Sequence, residues 1–172
     1  MQQSSDSTFA FVLEHLRWSL DQPMVFGERH WATRVLRALE RVTEALDHHI
    51  QFQEASDGPF DQLADPGLLP FTPEVQHIAW LRASHQRLRA QLHGITAQFR
   101  DALLYFPAGV EASPGNATEE GLQEVRAFRL FGVLEQCARD VATQLHQHLV
   151  LETSLLRDLN LERLSVDAGR AG

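Results

Sequence analysis

Apolar residues recur at alternating steps of three and four along most of the chain, the spacing of helices that each bury one stripe. The second stripe reads Val35, Leu39, Val42, Leu46, His49 and Gln53, and the third Ile78, Leu81, His85, Leu88, Leu92, Ile95 and Phe99. The fourth reads Leu134, Cys137, Val141, Leu145, His148, Glu152 and Leu155, with one residue of drift before Leu145. A shorter first stripe passes through Val12 and Leu16. Breakers divide these stripes into helices over about 7–21, 28–55, 73–106 and 122–159. Pro23 stops the first, Ser56-Asp57-Gly58-Pro59 ends the second, and Thr72-Pro73-Glu74 opens the third with a hydroxyl cap and proline at the first helical position. Residues 60–71 read as an ordered loop with one helical turn, 107–121 as a long mobile loop, and 165–172 as a frayed tail. No alternation of period two survives, so the fold expected is an all-α, up-down-up-down four-helix bundle in one domain over 1–172.

Three of these stripes carry a histidine where the pattern demands an apolar side chain, and that changes the picture. A carboxylate buried without a partner is expensive, and such groups are normally paired or bound to metal. Imidazoles and a carboxylate converging in a bundle core are the donors a transition metal takes. His148 and Glu152 lie four apart, about 40° around a helix, so both can face one centre. His49 and Glu54 lie five apart, about 140° around, which requires the helix to distort near its end. Counted from the loops between helices, His49, His85 and His148 fall at one level, whereas His15 does not and flanks its own seam. His30, His48, His77, His93 and His146 fall off the seams and read as solvated.

Composition narrows the function further. The chain has 172 residues, 44% hydrophobic and 22% charged, with a net charge of -8 that argues against a nucleic-acid or anionic-membrane surface. No apolar run is long enough to span a bilayer, the start lacks the layout of a secretory signal, and the single Cys137 allows no internal disulfide. A cytoplasmic protein is the default expectation. No nucleophile–base–acid constellation and no phosphate-cradling glycine loop is legible, so classical enzymology is not expected; weak oxidase or peroxidase activity would have to come from a metal.

At the histidines the chain resembles the hemerythrin-like family, the HHE cation-binding domain. That family repeats a helical hairpin in which one histidine is followed by His-x-x-x-Glu on the next helix. Here Ser84-His85-Gln86-Arg87-Leu88 is followed by His148-Leu149-Val150-Leu151-Glu152, and His49-Ile50-Gln51-Phe52-Gln53-Glu54 is similar, with glutamine at the carboxylate position. Ala55-Ser56-Asp57-Gly58-Pro59-Phe60 resembles the acidic-glycine turn found after the motif in many bacterial members. The resemblance implies a non-haem iron pair, with His49, His85 and His148 as terminal ligands, Glu152 as a bridging carboxylate and Glu54 as a second bridge. It implies binding, storage or sensing of iron, oxygen or a related diatomic ligand. Gln53 departs from the pattern, and no helix-one histidine lies level with His49. A single Fe or Zn on three histidines and a carboxylate is therefore an alternative. So is a metal-free interaction module that uses Trp18, Phe26, Trp31 and Trp80 as a homodimer or partner face.

Overall fold

The computed structural model describes residues 2–22, 27–63, 73–104 and 119–170. Five helices carry them: α1 (Gln2–Asp21), α2 (Glu28–Gln53), α3 (Pro59–Leu63), α4 (Pro73–Leu104) and α5 (Glu119–Arg170). No strand occurs among the described residues. α1 packs on α2, α2 on α4, α4 on α5, and α5 back on α1, so the four long helices close a ring around one interior. That arrangement is compatible with a four-helix bundle. No helix is long and apolar enough to cross a membrane among the described residues.

The stripes of α2 and α4 bury at every position the spacing singles out. Elsewhere the register shifts. On α1 the buried positions are Phe9, Leu13, Leu16 and Leu20, while Val12 only flanks the core. On α5, Ala138 and Leu156 are buried and Cys137 and Leu155 are only partly so. A straight helix drifts about 20° per heptad against a strict 3.5 repeat, and over α5 that drift moves the seam by one residue. Helix ends also differ: α1 begins at Gln2, five residues before the expected start, and α5 runs through the stretch read as a tail to Arg170. No proline interrupts 119–170, so nothing in that stretch forces the helix to stop. The one helical turn expected after residue 59 is α3, whose continuation over 64–72 lies outside the described residues, as does the loop over 105–118.

The interior is built as two apolar clusters. The larger spans Phe9 to Leu145 and includes an aromatic triad of Trp31, Phe99 and Phe131, with ring centroids 6.2 to 6.5 Å apart. Trp31 is therefore a core residue, not part of an exposed aromatic face, while Trp18 and Trp80 are exposed and Phe26 lies outside the described residues. The smaller cluster holds Phe60, Ile78, Leu81 and Leu156. Along α4 the seam passes from Leu81 in the small cluster through His85 to Leu88 in the large one; along α5 it passes from Leu145 through His148 and Glu152 to Leu156. A polar layer thus separates two apolar ones. Ion pairs tie the outside together, with Arg100 on Glu40, Arg89 on Asp47, and Arg139 reaching both Asp21 and the Leu20 carbonyl at the end of α1.

Candidate metal centre

Glu152 lies at the middle of the polar layer and is 1% exposed. Its Oε2 stands 2.9 Å from His49 Nε2 on α2, 3.5 Å from His85 Nε2 on α4, and 3.4 Å from His148 Nε2 one turn back on α5. Three helices thus each aim an imidazole at one carboxylate oxygen. His49, His85 and His148 are themselves buried. The ligand-type atoms of His49, His85 and Glu152 all fall within 4.8 Å of one another, a grouping that can hold a metal ion.

The far nitrogens decide which face of each ring looks inward. His85 Nδ1 is 2.9 Å from Glu54 Oε1, and an imidazole N–H is what a carboxylate accepts. With the proton on Nδ1, the Nε2 lone pair of neutral His85 faces Glu152. His148 Nδ1 is 3.1 Å from Ser84 Oγ, which can accept in the same way and leave Nε2 inward. Partners on the outer nitrogen that fix tautomer and ring plane are the usual accompaniment of metal-ligating histidine. Aromatic rings back each imidazole: Phe9 stacks on His49 with centroids 5.3 Å apart, Phe60 on His85 at 5.6 Å, and Trp80 lies tilted over His148 at 6.3 Å.

The chain's own groups do not satisfy this arrangement. His85 Nε2, His148 Nε2 and Glu152 Oε1 are removed from solvent and lack a hydrogen-bond partner. Inward lone pairs on two nitrogens repel a carboxylate oxygen unless a proton or a cation lies between them. Ligands about 2.1 Å from one ion are separated by about 3.0 Å at right angles and about 3.4 Å at the tetrahedral angle. The carboxylate–imidazole separations of 2.9, 3.4 and 3.5 Å lie close to that range, as they must if Glu152 and each imidazole are to share one ion. Burial pushes the Glu152 carboxyl up; where protons take the place of the cation on the inward nitrogens of His148, His49 and His85, their N–H groups outweigh burial and hold the carboxyl well below the ordinary glutamate range.

Glu54 does not join this convergence. It is the residue that caps α2, its N–H donating to the Ile50 carbonyl, and its half-buried carboxylate meets the outer nitrogen of His85. Gln53 faces inward instead, 1% exposed, one turn after His49, with an Oε1 that accepts no hydrogen bond. The helix-one residue opposite His49 is Phe9, so α1 supplies a ring where a ligand would need a donor. His15 lies elsewhere, against Trp18. His30, His48, His77, His93 and His146 are all exposed. Ser84 and Phe60 were not singled out in the sequence; a hydroxyl immediately before a seam histidine was the readable signal for the first.

Phe60 reaches the site because the chain turns sharply after α2. A side chain at Gly58 would place its Cβ 2.5 Å from the Phe52 carbonyl oxygen and 2.9 Å from that of Gln53. Only glycine permits this approach. Gly58 N–H donates to the Ala55 carbonyl, and Asp61 N–H donates back to the Gly58 carbonyl, starting α3 with Phe60 over His85. No family model, curated protein or solved structure matches the chain.

Proposed function

We propose that the chain is a hemerythrin-like metal-binding bundle that holds one transition-metal ion, iron by preference, through His49, His85, His148 and Glu152. The observation that carries this reading is the group of buried, unsatisfied Nε2 and carboxylate atoms aimed at one point between two apolar clusters. A single ion is favoured over a pair because the cluster found among the described residues contains one carboxylate. Gln53 lies inward where the resemblance calls for a bridging acid, and a neutral amide oxygen is a poor bridge between two cations. Three imidazoles and one carboxylate leave coordination positions unfilled on a metal that prefers five or six ligands. When bound, iron at such a site supplies an acceptor position for dioxygen or another diatomic molecule. The chain's own residues bind and orient: Ser84 and Glu54 hold two imidazoles in the inward tautomer, and Leu46, Leu88, Leu145 and Leu156 wall the site from water.

The deciding experiment is metal analysis of protein purified without an affinity tag, before and after anaerobic loading with iron(II), alongside His85→Ala and His148→Ala. One equivalent of metal per chain, lost in both variants, is the expected result, with a melting temperature that falls on chelation. Two equivalents would replace the mononuclear reading with the iron pair. Metal content indifferent to both substitutions would overturn the proposal and leave the bundle as a scaffold, with exposed Trp18 and Trp80 as the place to seek partners.

A further inference from the structure

Gln53 is a buried polar side chain that the four donors do not use. It lies one turn after His49 on α2, the same spacing that separates Glu152 from His148 on α5. Both helices run from the large apolar cluster toward the small one. On α2 the order is Leu46, His49, Gln53 and then the turn to Phe60; on α5 it is Leu145, His148, Glu152 and Leu156. The two helices are therefore parallel, and the two pairs are equivalent by position. In a helix the Cα–Cβ bonds tilt toward the start, so a residue one turn on leans back over the one before it. On α5 this brings Glu152 Oε2 to 3.4 Å from His148 Nε2. Glutamine has the reach of glutamate, and the same tilt directs Gln53 back toward the point that His49 faces.

Nothing in the fold accounts for an oxygen at this position. Gln53 is 1% exposed, and its Oε1 is removed from solvent with no donor against it. The layer that follows on this side, Phe60, Ile78, Leu81 and Leu156, is apolar. A buried acceptor left without a donor weakens the fold, and an apolar residue of the same length would not. His85 Nε2, His148 Nε2 and Glu152 Oε1 are acceptors in the same condition. A set made of acceptors is completed by a cation.

We propose that Gln53 Oε1 is a fifth donor to the ion and sets which metal the site prefers. This inference rests on the metal-binding reading of the histidine–glutamate cluster. A carbonyl oxygen suits the harder divalent cations that take five or six ligands, such as iron(II) and manganese(II). Zinc(II) is complete with four, and His49, His85, His148 and Glu152 already offer that number. Gln53 therefore adds little to the binding of zinc and more to that of iron or manganese. Being neutral, it adds no charge that would draw in a second ion.

The test compares the wild type with Gln53→Met, an apolar side chain of nearly the same length. In competition between manganese(II) and zinc(II), read as bound metal per chain, the variant is expected to shift toward zinc by about tenfold, the discrimination of one neutral donor to a charge. The cobalt(II)-loaded wild type is expected to show the weak visible absorption of a five- or six-coordinate ion, and the variant the stronger absorption of a four-coordinate one. The metal-free variant is expected to unfold at higher urea than the metal-free wild type, because an unpartnered acceptor has gone. One equivalent of metal that His85→Ala abolishes, with a manganese-to-zinc ratio indifferent to Gln53→Met, would overturn the inference and leave the metal-binding reading standing. A four-coordinate cobalt spectrum in the wild type, or a metal-free variant less stable than the wild type, would overturn it equally. A wild type that takes up no metal would overturn both.

Discussion

At the scale of single residues, the chain separates groups that face the proposed ion position from groups that aim them. Glu152 supplies the negative charge at the centre, whereas Glu54 and Ser84 act on the outer nitrogens of His85 and His148. Glu54→Gln and Ser84→Ala are therefore expected to weaken metal affinity by about 10–100-fold without abolishing it, and Glu152→Gln to abolish retention through dialysis. Competition with a chromogenic chelator measures both. Glu152 also gives the metal-free chain a pH signature. Its folded-state carboxyl is held below the ordinary value of 4.5, so its contribution to stability is full above that value and is lost as pH falls below it. Urea midpoints of the metal-free wild type should drop on acidification below about pH 4.5 more steeply than those of Glu152→Gln. Equal slopes would show that the imidazoles do not hold the carboxylate ionised.

At the scale of elements, α2 and α4 were legible almost entirely, and the reason is physical. Each keeps one unbroken seam in register along its length, so the three-and-four spacing alone marks the buried positions, and His49, Gln53 and His85 stand out as polar residues there. The same logic found His148 and Glu152 on α5. What it missed depends on contacts that periodicity does not encode. The end of α2 is the example: two adjacent residues compete to face inward, and the capping of the helix at Glu54 settles it, leaving Gln53 inside and the acid beside His85. Phe60 was equally hidden, because its position depends on the tightness of the turn at Gly58. Gly58→Ala is expected to cost about 2 kcal/mol in chemical denaturation and to loosen metal binding by displacing α3 from His85. A stability loss with unaltered metal affinity would separate the turn from the site.

At the scale of the whole molecule, the two apolar clusters divide the labour of folding. The larger one joins all four long helices, and its Trp31–Phe99–Phe131 triad, drawn from α2, α4 and α5, makes no ring contact with the histidines of the site among those described. Phe131→Ala should cost about 3–5 kcal/mol in urea unfolding followed by far-ultraviolet circular dichroism, yet leave metal stoichiometry unchanged in the folded fraction. The all-α architecture could be read from breakers and spacing, but the partition into two clusters could not, because it arises where stripes from different helices meet.

That partition has a kinetic consequence. The small cluster of Phe60, Ile78, Leu81 and Leu156, with the five residues of α3 above it, is held by far less buried surface than the rest of the interior. Fluctuations that expose it need not disturb the large cluster, so this end should open at lower free energy than the molecule unfolds. Amide hydrogens at the start of α4 are expected to exchange with deuterium well before those around Leu92 and Phe99, and to slow when metal is bound. The rate at which an ion leaves would then follow the opening of this corner, making residence time a property of a few aliphatic contacts as much as of the imidazoles themselves.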